Sequence, residues 1–286
     1  MKKIVVLLVL VLVSTPLITS CSQDKSSSKT IVTSIYPFQY LVKEVVGNKF
    51  EVINVISQGV EPHEAELNVK STQQLLNSDL ALLIGNGFQP SIEKAAKDRS
   101  KQTIYASKFS SSKNPHIWLD IGLVKKIINS FTKSVSEIDK TNRAFYKRNA
   151  KKLLNKIEQL DLDYKLTINK CSSRTLITSH NAFELLAKSY KLKYKSILGN
   201  NPESEPTSKE LSSLKKYIQS QKVKTVFVEE STSKKLDNLF KNDFKVEVIE
   251  LSPIEFLTET QADKNENYLT IMKDNLNVIQ LGLDCY

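Results

Sequence analysis

From residue 30 onward, short apolar runs alternate with stretches in which apolar positions recur every three or four residues. The first pattern marks buried strands and the second amphipathic helices. In the first half, segments 30–34, 50–56, 80–84 and 103–105 read as strands, separated by helices over 38–46, 71–77 and 91–97. In the second half, strands over 175–178, 193–197, 225–228 and 246–251 are separated by helices near 182–190, 209–219 and 236–240. Thr207 followed by Glu210 fits a capping box and places the start of one of these helices. Alternation of this kind predicts an α/β fold built from two similar halves.

Between the halves, Tyr146, Ala150, Leu153, Ile157, Leu160, Tyr164 and Ile168 fall at spacings of four and three, on one helical stripe. No Pro or Gly interrupts 141–170, so a helix of roughly 45 Å is expected there. It would join the halves and restrict hinge motion between them. The resulting division is a first βα domain over 30–139, a linking helix over 140–170 and a second βα domain over 171–286.

The N-terminus follows another pattern. Lys2 and Lys3 precede an unbroken apolar run from Ile4 to Val13, too short to span a bilayer and typical of an export signal. Ile18, Thr19, Ser20 and Cys21 resemble a lipobox, which implies cleavage after residue 20 and acylation of Cys21. The expectation is a signal peptide over 1–20, a polar tether over 21–29 and a body anchored by lipid at the extracytoplasmic face of the cell membrane.

The formal net charge of +10 includes Lys2 and Lys3, so the mature chain carries +8. Lysines occur in almost every segment, which reads as a solvated surface and gives no reason to expect nucleic-acid binding. An anionic membrane nearby is compatible with this charge, which by itself does not establish it. With Cys21 committed to lipid, Cys171 and Cys285 remain, and an oxidising exterior permits a disulfide between them without requiring one.

The chain has three histidines, each in a turn beside a predicted element. His63 lies in VEPHEAEL, His116 in NPHIWLD and His180 in ITSHNAF. Two follow a proline, and His63 and His180 follow predicted strands, where ligands bind in open α/β folds. His180 falls where a strand gives way to a helix, whose positive end would keep the ring neutral and able to donate to a metal. Imidazole donors suit Zn²⁺ and other borderline metals, whereas Ca²⁺ and Mg²⁺ prefer oxygen. Around these histidines, Glu61, Glu64 and Glu66 are candidates to support the imidazoles but read first as a solvated loop, Glu229 and Glu230 as candidates to face the cleft or a transporter, Asp120 as a helix cap, Trp118 as core and Tyr36 as a cover for the site.

The motifs TSIYPF, GVEPHEAEL, NGFQP, PHIWLD, TSHNAF, SEPTSKEL, VFVEE and ELSPIEFLT occur in that order over nearly the whole mature length. Together they resemble the zinc and manganese binding proteins of ABC importers, the cluster A-I, TroA-like and ZnuA-like solute-binding family. The resemblance implies two βα domains joined by a long helix, with one metal buried between them. Carried over residue by residue, it implies His63, His116 and His180 as metal ligands and Glu255, in the SPIEFLT segment, as the fourth. Manganese-type relatives place a carboxylate where His180 stands, so the resemblance is to the zinc type.

The implied function is capture of Zn²⁺ as cargo by a monomer that delivers it to an ABC permease and its ATPase. Mn²⁺ or iron is the alternative cargo. A zinc hydrolase is disfavoured by the fourth ligand and by the lack of an HExxH motif, so no enzymatic activity is expected, and nothing in the sequence encodes an adhesin specifically. The chain departs from the family in having Glu64, Ala65 and Glu66 after the EPH motif, Asn114 where Asp is frequent, and KFSSSK over 108–113 in place of a His-rich or acidic loop.

Overall fold

Two parallel four-stranded sheets form in the computed structural model, which describes residues 29–202, 204–229, 236 and 238–286. The first contains β1 (Thr30–Thr33), β2 (Glu51–Asn54), β3 (Leu80–Leu83) and β4 (Thr103–Tyr105) in the order β2-β1-β3-β4. The second contains β5 (Thr175–Thr178), β6 (Lys193–Ser196), β7 (Thr225–Val228) and β8 (Glu247–Glu250) in the equivalent order β6-β5-β7-β8. Sequence and position agree. The central strands β3, β5 and β7 are apolar or threonine-rich and buried at every residue. The edge strands β2, β6 and β8 carry Glu51, Lys193 and Lys195, and Glu247 and Glu250, charges that discourage pairing with another chain.

The first sheet is accompanied by α1 (Tyr36–Val46), α2 (Val69–Asn77), α3 (Pro90–Ala96) and α4 (Ile121–Ile138). Asp120 starts α4 as expected, its Oδ1 accepting from Leu123 N at 3.0 Å. The linking helix α5 spans Arg143–Asn169, about 40 Å at the usual helical rise, and buries every residue of the expected stripe. It begins two residues later than the pattern suggests. A 3₁₀ turn at Lys140–Asn142 precedes it, held by Asp139, which accepts from Asn142 Nδ2 at 2.7 Å and Tyr146 Oη at 2.6 Å.

The second sheet is accompanied by α6 (Glu184–Ser189), α7 (Ser208–Gln221), α8 (Glu259–Asp263) and α9 (Tyr268–Gly282). The capping box of Thr207 and Glu210 is present on α7. Near 236–240, Leu236 and Asn238 are helical as expected, and a π-helical segment follows at Leu239–Phe244.

One hydrophobic core runs through both halves, from Ile31, Phe38 and Trp118 through Tyr146 and Tyr164 on α5 to Phe183, Tyr268 and Ile279. Hydrogen bonds lock the junction: Tyr164 Oη donates to Met272 O at 2.7 Å, and Tyr268 Oη donates to Trp118 O at 2.6 Å. Asp161, inside the helical stripe, accepts from Lys125 on α4 and Lys165 at 2.9 Å and from Tyr190 at 3.0 Å. Burial opposes ionisation of Asp161, but these donors outweigh it and hold the carboxyl below its usual range.

Cys171 and Cys285 form a disulfide that ties the end of α5 to the C-terminal segment. Backbone bonds from Ser172 N to Asp284 O and from Ser173 N to Leu283 O, both 3.1 Å, run beside it. No helix among the described residues is long and apolar enough to cross a membrane. The signal segment and Cys21 lie outside the described residues, as does Glu230.

Candidate metal centre

The carboxyl ends of both sheets point toward one another, and the connections leaving them carry the residues singled out by sequence. His63 follows β2 in a loop tied down by Gln89, whose Nε2 donates to Ser34 O at 3.0 Å and Pro62 O at 3.4 Å. Phe88 meets the His63 ring edge-on, with centroids 4.3 Å apart. The turn that delivers Phe88 begins at Gly85, with φ of 82°, where an added Cβ would lie 2.6 Å from Ser107 Oγ. Only glycine fits that position without displacing its neighbour.

His116 precedes a 3₁₀ turn at Ile117–Leu119, and both its backbone N and its Nδ1 lie 2.9 Å from Asn114 Oδ1. The Asn114 amide is itself oriented, since its Nδ2 donates to Asn181 O at 2.7 Å and Glu184 Oε2 at 3.0 Å. His116 Nδ1 therefore carries the proton and Nε2 presents its lone pair. His180 follows β5; its carbonyl accepts from Thr178 Oγ1 at 2.7 Å and Tyr194 Oη at 3.0 Å, while its Nδ1 meets Glu229 Oε1 at 2.5 Å.

Glu255 sits in the irregular segment after β8. Asn275 on α9 clamps that segment, accepting from Ser252 N at 3.1 Å and donating to Ser252 O at 2.7 Å. Trp118 Nε1 donates to Pro253 O at 2.7 Å from the first domain. Between these anchors Ile254 has a φ of 57°, a left-handed conformation costly for a β-branched residue and held by the contacts around it.

The four side chains converge. Glu255 Oε1 lies 3.3 Å from His63 Nε2, 3.1 Å from His116 Nε2 and 3.4 Å from His180 Nε2. His116 Nε2 is 3.3 Å from His63 Nε2 and 3.1 Å from His180 Nε2, and all four atoms lie within 4.8 Å of one another. A tetrahedral ion with bonds of about 2.0–2.1 Å has donor–donor edges of about 3.3 Å. Five of the six edges thus match a tetrahedral cation. The centre is enclosed: the His63 side chain is 8% exposed and the other three are 2% or less. A cleft of about 460 Å³, lined by Tyr36, Gln39, Asn54 and Phe256 among others, reaches Glu255 from one side.

Electrostatics sharpen the picture. Burial drives the His116 pKa down to about 4, against the pull of Glu255, so the ring is neutral at physiological pH. Burial also opposes a charge on His180, but the carboxylates of Glu229 and Glu255 outweigh it and raise its pKa to about 10. No helix end therefore keeps His180 neutral, contrary to expectation: α6 starts at Glu184, and the Glu229 carboxylate is far closer. A metal bound at Nε2 would take the place of the proton there, and Glu229 would fix the tautomer through Nδ1. Glu255, despite burial, is held well below its usual range by hydrogen bonds with the three histidines, His116 first.

Glu61 corrects the expectation of a solvated loop. It accepts from His63 N at 3.0 Å, and burial and then Glu255 push its pKa up to about 8, while Glu64 and Glu66 are exposed. Asn114, Phe88, Gln89 and Asn275 carry no chemical signature of their own, and their positioning roles emerge only from contacts across the chain.

The sequence profile of a family described as ZnuA, zinc-uptake complex component A, periplasmic, matches residues 31–282. The high-affinity zinc uptake system protein ZnuA of Bacillus subtilis is 29% identical over 290 residues, covering 93% of this chain and 91% of that protein. The zinc-binding lipoprotein AdcA of Streptococcus pneumoniae is 26% identical over 291 residues; the match takes in 93% of this chain and 58% of that longer relative. The crystal structure of the Zn(II)-bound ZnuA-like domain of AdcA superposes with a TM-score of 0.79 at 27% identity, over 90% of this chain and 99% of that domain.

Proposed function

Because the chain belongs to the ZnuA family of zinc-uptake proteins, we propose that it captures Zn²⁺ as cargo and delivers it to the permease and ATPase of an ABC importer. His63, His116, His180 and Glu255 are the proposed ligands. The observation that carries this reading is the near-tetrahedral set of three Nε2 atoms and one carboxylate oxygen, five of whose six mutual distances are 3.1–3.4 Å, enclosed by protein. A catalytic zinc site keeps a coordination position open for water, whereas a closed one retains its ion until the ligands separate. Capture and release is the chemistry such a cage performs.

The three imidazoles favour zinc over manganese, which prefers oxygen-rich sets. Metal analysis of protein purified without added metal, followed by exposure to equimolar Zn²⁺ and Mn²⁺, should show zinc retained. Preferential retention of manganese would overturn the zinc assignment. Outer partners matter as well. Glu229→Gln removes the charge behind His180 and is expected to weaken zinc affinity roughly tenfold, the lower end of the range for outer partners of metal ligands. Chelator competition would measure the loss, and an unchanged affinity would show that Glu229 does not support the site.

The division of the chain at 139–140 and 170–171, a monomeric state and acylation of Cys21 belong to the same reading. The anchor is supported by the lipobox-like residues Ile18 to Cys21 and by the description of AdcA, a similar protein, as a lipoprotein.

A further inference from the structure

The excess of basic residues is concentrated in one segment of the chain. Between Lys125 and Lys156 there are ten Lys and Arg against two acids, a net +8 that equals the excess of the whole mature chain. This segment forms α4, the turn after it and the first half of α5. The two helices leave a groove of about 590 Å³ between them, lined by Lys133, Glu137, Arg143, Lys147 and Lys151 among others. Arg143, Lys147 and Lys151 stand on successive turns of one helix face. All four cations are exposed, and none forms an ion pair among the described residues. Ser136 also lines the groove, with a buried hydroxyl that has no hydrogen-bond partner there.

A second observation concerns where the chain enters the fold. Lys29 Nζ lies 3.5 Å from Asp139 Oδ1, in the turn that joins α4 to α5 at the end of this groove. Lys29 lies eight peptide steps beyond Cys21, and no chain of that length spans more than about 28 Å. An acylated Cys21 therefore keeps the end of the groove within that distance of the bilayer.

We propose that the basic groove between α4 and α5 is a docking surface for anionic phospholipid headgroups, which lays the first domain against the membrane beside its own anchor. This rests on the reading of Cys21 as the lipidated residue. Attraction of basic residues to an anionic leaflet accumulates per residue near the surface and fades within about 10 Å at 0.1 M salt. A short tether supplies that proximity, and the groove supplies the charge. The metal centre is built separately, at the carboxyl ends of the strands, so docking leaves its ligands untouched.

The test uses the chain starting at Ser22, which contains every described residue and lacks the acylated cysteine. Its sedimentation with phosphatidylcholine vesicles, with and without phosphatidylglycerol, measures the groove without the lipid. Binding is expected only to the anionic vesicles. Lys147→Glu with Lys151→Glu should lower it by roughly tenfold or more, while Lys209→Glu with Lys216→Glu, an equal charge change on α7, should leave most of it. Circular dichroism checks folding, and Lys147→Gln with Lys151→Gln provides a milder pair should the reversal fail to fold.

Equal binding to both vesicle types, or an equal loss in the α7 variant, would overturn the proposal. Retention of soluble inorganic polyphosphate without vesicle binding would also overturn it, in favour of a polyanion site. Zinc affinity, measured in parallel, should be the same in all variants. Incorporation of labelled palmitate at Cys21 is read separately, so a failed anchor and a failed groove give different results.

Discussion

His180→Ala should weaken zinc binding by roughly 100- to 1,000-fold while leaving the metal-free fold in place. Zinc bound by four protein ligands is worth about 10–16 kcal/mol at neutral pH, so one ligand accounts for roughly 3–4 kcal/mol, and each 1.4 kcal/mol is tenfold. His180 carries more than its own bond. Its ring links Glu229 at Nδ1 to the cage at Nε2, so its loss removes a proposed ligand together with that link. The fold should survive because β5 and its register with β6 and β7 end before this position. Chelator competition gives the affinity, and thermal melts of the zinc-free proteins report the fold. An affinity equal to the wild type would remove His180 from the cage.

The second large effect concerns stability. Replacing Cys171 and Cys285 by serine should cost about 2–4 kcal/mol, because the bond constrains an unfolded loop whose ends are 114 residues apart. At about 2–4 °C per kcal/mol for a chain of this size class, the melting temperature should fall by roughly 5–15 °C. Both cysteines are buried, 8% and 1% exposed, next to the packing of α5 against α9. The cage lies at the opposite ends of the strands, so zinc affinity below the transition should not change. Melts of the wild type with and without a reductant, alongside the double variant, test this. A melting temperature indifferent to both would show that the backbone bonds of Ser172 and Ser173 hold the C-terminus without the disulfide.

How much of this was legible in the sequence varied with the kind of residue. β3, β5 and β7 could be read because a strand buried on both faces must be apolar along its length. The stripe on α5 could be read because seven apolar positions keep helical spacing over six turns. By contrast, α9 was not identified. Its buried face includes Asn275, whose amide serves the Ser252 backbone, and this interrupts the apolar pattern. Glu61 could not be separated from Glu64 and Glu66 for a similar reason: three acids in one loop look alike, and only the fold turns one of them toward Glu255.

By itself, the sequence determined two βα halves, the helix between them and three histidines in turns, since periodicity and proline-stiffened loops are local properties of the chain. The motifs added Glu255 through resemblance. Tertiary structure decided what those residues can do together. It brought Glu255 within 3.1–3.4 Å of three histidines from distant segments and set Glu229 behind His180 and Asn114 behind His116. It also lined one groove, near Lys29, with basic residues that two different helices supply. Charge placement and metal geometry depend on distances between residues far apart in sequence, and packing of the two sheets about α5 sets those distances.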